Sequence, residues 1–112
     1  MDWSKVTYVF FILMSLTSTA GFLYEHTSLS LFIASSLNVV STILKIGVRN
    51  ILAAELLAGS LVADLHLIPA FIALEIYNNL EIAISLAIGA VIANVFSIGL
   101  VLIESAKVRE EY

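Results

Sequence analysis

The sequence has no cysteine, a single proline, and charged residues at only 12% of its 112 positions. Without cysteine there can be no disulfide, no thiolate metal site and no thiol nucleophile. A soluble domain carries roughly 25% charged residues, so this inventory cannot cover a water-facing surface. Basic residues are scarce as well: five Lys and Arg stand against nine Asp and Glu, a net charge of −4. That balance excludes a polybasic phosphate-binding face, and with it nucleic acid as a partner. The signatures of common catalysts are missing too. There is no Gly-rich phosphate loop, no HExxH pair and no Gly-x-Ser-x-Gly elbow. The chain is therefore not expected to be an enzyme, and no cofactor is implied.

What the chain does have is apolar length. Hydrophobic residues make up 61% of it, and the mean hydropathy is +1.06. Residues 6–24, 27–44 and 82–103 contain no charged residue in 19, 18 and 22 positions. Each run is long enough to cross about 30 Å of hydrocarbon as a helix. β-barrel strands would instead be segments of about ten residues with alternating polarity. A fourth stretch, residues 51–77, is long enough but carries Glu55, Asp64, His66 and Glu75. A central carboxylate costs about 2.5 to 3.5 kcal/mol on insertion, and each Leu, Ile, Val or Phe returns roughly 0.3 to 0.6. Twelve such residues lie between Ile51 and Leu74, so the sum is close to zero or slightly favourable. This span is expected to depend on its neighbours.

The basic residues support four spans. Lys5 precedes the first, Lys45 and Arg49 separate the second and third, and Lys107 and Arg109 follow the fourth. The other two connections have none, so all five fall on one side. The positive-inside rule then predicts both termini in the cytoplasm and argues against dual insertion. Gly47 is a candidate stop for the second helix and Asn50 a candidate cap for the third. Trp3, Tyr8, Tyr24 and Tyr77 fall near the expected interfaces, where aromatic belts form. Lys5, the apolar run after it and Ser18-Thr19-Ala20 before Gly21 have the layout of a signal peptide; an uncleaved anchor is the expectation.

Polar residues recur at one depth. The span midpoints fall near Ser15, Leu37, Asp64 and Val91 to Ile92. Ser15, Thr17 and Ser18 lie at that level, as do Ser35, Ser36 and Asn38, Asp64 and His66, and Asn94. Exposed polar groups in lipid cost several kcal/mol, so these should face inward and meet. Asp64 is the leading site candidate, because ionisable residues inside a membrane are functional by default. Asn38 and Asn94 are expected to complete an oxygen-rich shell for a proton or a monovalent cation. The alternative is a hydrogen-bonded Asp that holds helices together. His66 lies about 200° around the helix from Asp64, so the two cannot chelate one metal; a relay or gate is the functional option. Pro69 frees the carbonyl of Leu65 and is a candidate hinge. Glu55, Lys45 and Arg49 form a candidate cytoplasmic mouth. Small residues at every fourth position, Ser85, Gly89, Ala93 and Ser97, with Gly59 and Ala63, suit close helix packing within or between subunits.

The chain is similar in length and span count to small multidrug-resistance transporters, but the first span has no acid to match their embedded Glu. The stretch from Ile43 through Lys45, Gly47, Arg49 and Asn50 to Glu55, with Ala63-Asp64-Leu65-His66-Leu67-Ile68-Pro69, resembles a family of small bacterial integral membrane proteins of unknown function. That resemblance implies four transmembrane helices and no assigned activity. The combined expectation is an all-α four-helix transmembrane bundle in the bacterial inner membrane. It would be a homo-oligomeric channel or ion-coupled transporter subunit, or an accessory subunit of a larger membrane complex. Its partners would be the lipid bilayer and a second copy or another membrane protein.

Overall fold

A computed structural model of the chain describes residues 3–46 and 53–111, and only the backbone of residues 4, 53 and 107–111. Among the described residues the elements are four helices: α1 (Trp3–Glu25), α2 (Ser28–Lys45), α3 (Ala53–Glu75) and α4 (Leu80–Glu111). Each contains a segment long and apolar enough to cross a bilayer. In hydrocarbon a helix is favoured because it satisfies every backbone group within itself. The ends use local chemistry. α1 stops at His26, whose φ of 60° is left-handed and whose N–H bonds the Phe22 carbonyl. Thr27 then caps α2, accepting from the Ser30 N–H. α3 ends where Asn78 takes a left-handed φ of 51° and the Asn79 N–H reaches back six residues to the Ala73 carbonyl. Asn79 caps α4 by accepting from the Ile82 N–H. α4 runs past the expected 82–103 to Glu111, because nothing in Ser105-Ala106-Lys107-Val108-Arg109 breaks a helix. Gly47, Arg49 and Asn50 lie outside the described residues.

The helices form a ring in chain order. α1 packs on α2, α2 on α3, α3 on α4, and α4 closes on α1. Lys5 donates to the Ser105 hydroxyl at 2.5 Å, so α1 and the far part of α4 share one end. That end, where α2 also finishes and α3 begins, is here the terminal end; the connections at His26 and Asn78 form the loop end.

Buried residues repeat at alternating steps of three and four on all four helices. The seams are Tyr8, Ile12, Ser15, Thr19 and Phe22; Leu31, Ala34, Asn38, Ser41 and Lys45; Leu56, Ser60, Ala63, Leu67 and Ala70; and Ala83, Ala87, Ala90, Asn94, Ser97, Val101 and Glu104, with Thr42, Gly59, Asp64 and Ala93 buried beside them. A 3.5-residue period is the seam of a left-handed bundle. Beside large residues such as Tyr8, Phe22, Leu31 and Leu67, these seams carry small and polar ones, while large apolar side chains such as Phe10, Phe32, Leu65, Ile92 and Leu102 face outward. The interior is the more polar side. Lipid is as apolar as leucine, so packing and hydrogen bonds hold such a bundle rather than apolar burial.

The aromatic residues divide. Trp3, Tyr24 and Tyr77 are exposed near the helix ends, but Tyr8 is fully buried. Its ring lies 5.9 Å from the Lys45 ammonium, so Tyr8 belongs to the core and not to an interfacial belt.

Candidate functional site

The centre of the bundle is a hydrogen-bonded cluster between α2 and α3. Asn38 donates from Nδ2 to Asp64 Oδ1 at 2.6 Å and to the Ser60 carbonyl at 3.2 Å. The Thr42 hydroxyl lies 2.6 Å from Asp64 Oδ2, 2.6 Å from the Ser60 hydroxyl and 3.0 Å from the Asn38 carbonyl. Spacing explains the grouping. Asn38 and Thr42 are four apart, as are Ser60 and Asp64, so each pair lies on one helix face. Asp64 is 9% exposed and the other three are buried more deeply.

Both oxygens of Asp64 thus face hydrogen-bond donors. The Asn38 amide nitrogen can only donate, which fixes Oδ1 as an acceptor. The Thr42 hydroxyl can act either way. With Asp64 ionised, Ser60 donates to Thr42 and Thr42 donates to Oδ2. With a proton on Oδ2, Thr42 accepts it and turns its own hydrogen to the Asn38 carbonyl. Either state is satisfied with the same heavy-atom positions. A hard cation would need acceptor oxygens turned toward it, and these donors are already turned toward the carboxylate. Among the described residues no three His, Asp or Glu side chains could hold a metal ion.

Lys45 is one turn beyond Ser41 and Thr42. It is 4% exposed, and its Nζ has no hydrogen-bond partner among the described residues.

Other expected site residues lie elsewhere. Asn94 is fully buried, but neither atom of its amide has a partner, so it does not join the Asp64 shell. α2 and α4 are diagonal in the ring, and Asn94 faces the centre from α4. His66 turns away from the centre into the α3–α4 groove, where its Nδ1 bonds the Val62 carbonyl at 2.7 Å. The groove encloses about 460 Å³ between Val62, His66, Gly89, Ile92 and Phe96. It is a separate place from Asp64. Pro69 is exposed within an unbroken α3. Glu55 is exposed in the first turn of α3, where a carboxylate suits the helix dipole. The buried acid at the terminal end is Glu104, 6% exposed.

The small-residue positions pack within the chain. A Cβ on Gly59 would meet Ser97 Oγ at 2.5 Å, and one on Gly89 would meet the His66 ring at 2.4 Å. Ala63, Ala93 and Ser97 are buried with them. Ser85 is the exception: it is exposed, and its hydroxyl bonds the Glu81 carbonyl of its own helix. Sequence reasoning missed Thr42 and Ser60 as site residues. Their signal was the i, i+4 partnership with Asn38 and Asp64.

A ring of four apolar helices, with buried polar residues inside and exposed apolar side chains outside, has the build of an integral membrane protein. Residues 25–105 match a family of unknown function, DUF6394, and the chain belongs to that family. The match covers the whole Asp64 cluster, all of α2 and α3 and most of α4, and of α1 only Glu25. No curated protein and no solved structure matches the chain.

Proposed function

We propose that the protein is a small proton-translocating membrane protein and that Asp64 is the group that takes up and releases the proton. The observation that carries this reading is the Asp64–Thr42–Asn38 geometry. A carboxyl held by one fixed donor and one reversible hydroxyl is accommodated in both protonation states, as a cyclic carrier requires. The same donors argue for a proton over sodium or potassium.

The five basic residues fall at the terminal end in sequence, which supports a cytoplasmic orientation of that end and a bacterial inner membrane as the setting. Lys45 tempers this, since its ammonium is buried. The α3–α4 small-residue faces are used within the chain, so a homo-oligomer would form through the exposed aliphatic faces.

The second reading, an accessory subunit without transport, is favoured by one feature. The carboxylate is fully bonded inside the chain, as a residue that locks α2 to α3 would be.

The experiment is proton flux into liposomes carrying the purified protein, with wild type and Asp64→Asn in parallel and a pH-sensitive dye inside. Flux in the wild type that disappears in the variant is the expected result. Equal flux in both, or none in the folded wild type, overturns the proton-carrying role.

A further inference from the structure

Two polar groups near mid-depth face outward. In the α3–α4 groove the half-buried His66 gives its Nδ1–H to the Val62 carbonyl, since a carbonyl can only accept. In the neutral ring Nε2 is then a bare acceptor, and no group among the described residues donates to it. The second group is Ser36, exposed on the outer face of α2. Its hydroxyl forms no hydrogen bond among the described residues. It lies in a stripe with the exposed side chains of Leu29, Ile33, Val40 and Ile43, which recur at steps of four and three and so share one helix face. A polar group left facing hydrocarbon is costly, so each of the two needs a partner from outside its own bundle.

The two groups lie at one depth. α2 and α3 are antiparallel, and Asn38 and Thr42 meet Asp64 and Ser60. On that register Ser36 is level with His66, Val40 with Val62, and Ile43 with Gly59. The first of each pair is on the outer stripe of α2, and the second lines the α3–α4 groove. Copies inserted in one orientation are related by rotation about the membrane normal, which keeps every residue at its depth. Only groups at equal depth can then meet between copies. Size also matches: the bulky Ile43 falls at the level where the groove wall is Ala58 and Gly59. Lipid is a poorer occupant. Acyl chains carry no donor, and phospholipid donors sit about 15 Å from the midplane, whereas Ser36 is a donor at the level of His66.

We propose that the α3–α4 groove is the seat of α2 from a second copy of this chain. The Ser36 hydroxyl of one copy donates to His66 Nε2 of the next, and Val40 and Ile43 of the first pack against Val62 and Gly59 of the second. The two surfaces are different, so the contact is heterologous. Each copy gives its α2 to one neighbour and receives α2 from another, around a closed ring in the membrane plane. His66 then has a task separate from the Asp64 cluster: it sets the depth at which copies engage. The proposal rests on insertion in one orientation and not on the proton-carrying reading of Asp64.

The sequence has no cysteine, so cysteines can be placed without further change. Val40→Cys and Val62→Cys are put on two differently tagged chains, co-expressed and oxidised in native membranes with copper phenanthroline. Both positions are exposed, so neither change disturbs the bundle core, and gel filtration identifies folded protein. The expected result is a disulfide-linked dimer carrying both tags. Leu29→Cys with Val62→Cys is the depth control. Leu29 lies on the same face of α2 but about 16 Å away along it, beyond the reach of a disulfide, and should link at least about 10-fold less. No mixed-tag dimer from folded protein overturns the proposal, as does equal linking from Leu29→Cys. Val40→Cys linking to itself as readily as to Val62→Cys overturns it too, because the contact would then pair α2 with α2. A Val62→Cys that links only to a different membrane protein gives the groove to that protein and overturns the second copy. The hydrogen bond is tested by Ser36→Ala, which should raise the dissociation constant of the oligomer in mixed micelles about 3- to 20-fold, while Ser36→Thr keeps it. An unchanged constant in Ser36→Ala overturns the Ser36–His66 bond. Neither measurement reads proton flux, so failure here leaves the role of Asp64 untouched, and failure of that role leaves this contact standing.

Discussion

Replacing Thr42 by valine removes one hydroxyl at nearly constant shape, and the structure sets how much that should cost. In the wild type the hydroxyl serves Asp64 Oδ2 and Ser60 at 2.6 Å each. A hydrogen bond to a charged group is worth about 1.5 to 3 kcal/mol in water-soluble proteins. Side-chain bonds between membrane helices average about 0.6 and reach about 1.7. Two partners are orphaned here, so the expected loss lies near the upper membrane figure, about 1.5 kcal/mol. Against Asp64→Leu the same change should cost under about 0.5 kcal/mol, because the hydroxyl then retains only its own-helix carbonyl and Ser60. The difference, a coupling of about 1 kcal/mol, exceeds the roughly 0.3 to 0.5 kcal/mol at which independent sites add. The cycle also cancels whatever Lys45 loses when the carboxylate goes, since both Asp64→Leu proteins share it. Reversible unfolding in mixed micelles, followed by helical circular dichroism, measures all four proteins. A coupling below about 0.3 kcal/mol in folded variants would refute a direct Thr42–Asp64 bond as the tie between α2 and α3.

Two further expectations concern the packing and the ends. Gly89→Ala places a methyl group against the His66 ring and should destabilise by about 1 to 3 kcal/mol; adding His66→Ala should recover most of it, and a thermal melt showing no recovery would mean the ring is not the obstacle. Thr27→Ala removes the α2 cap and should cost about 1 kcal/mol, read as faster hydrogen exchange at the Ser28 to Ser30 amides. Unchanged exchange there would show that the cap does not hold the helix end.

Much of the architecture is legible in the residue order. Three uncharged runs and one charged but apolar run give four helices, because hydrocarbon leaves a chain no other way to satisfy its backbone between turns. Lys5, Lys45 and Lys107 fall at alternate connections, which puts one end of every helix on the same side. Asn38 and Asp64 could be named together from depth alone, since both lie near the middle of their spans. Depth also grouped Asn94 and His66 with them, and there it failed. Depth says how far along a helix a residue lies, and the direction a residue faces is set by the helix rotation.

That rotation is hard to read in this chain because both faces of each helix are apolar. A soluble helix advertises its buried side by contrast with a charged one. Here the inner seam differs from the outer face by small and lightly polar residues, so the 3.5-residue repeat is visible only once burial is known. The sequence by itself determined a four-helix membrane chain with a carboxylate at mid-depth, since span length and insertion cost depend on composition alone. The tertiary structure decided which groups meet it. Helix rotation turned Thr42 and Ser60 toward Asp64, sent His66 to the α3–α4 groove, and left Asn94 facing the centre from the diagonal helix. Rotation is fixed by close packing at Gly59 and Gly89 and by hydrogen bonds between helices, which are pairwise interactions that no single segment contains.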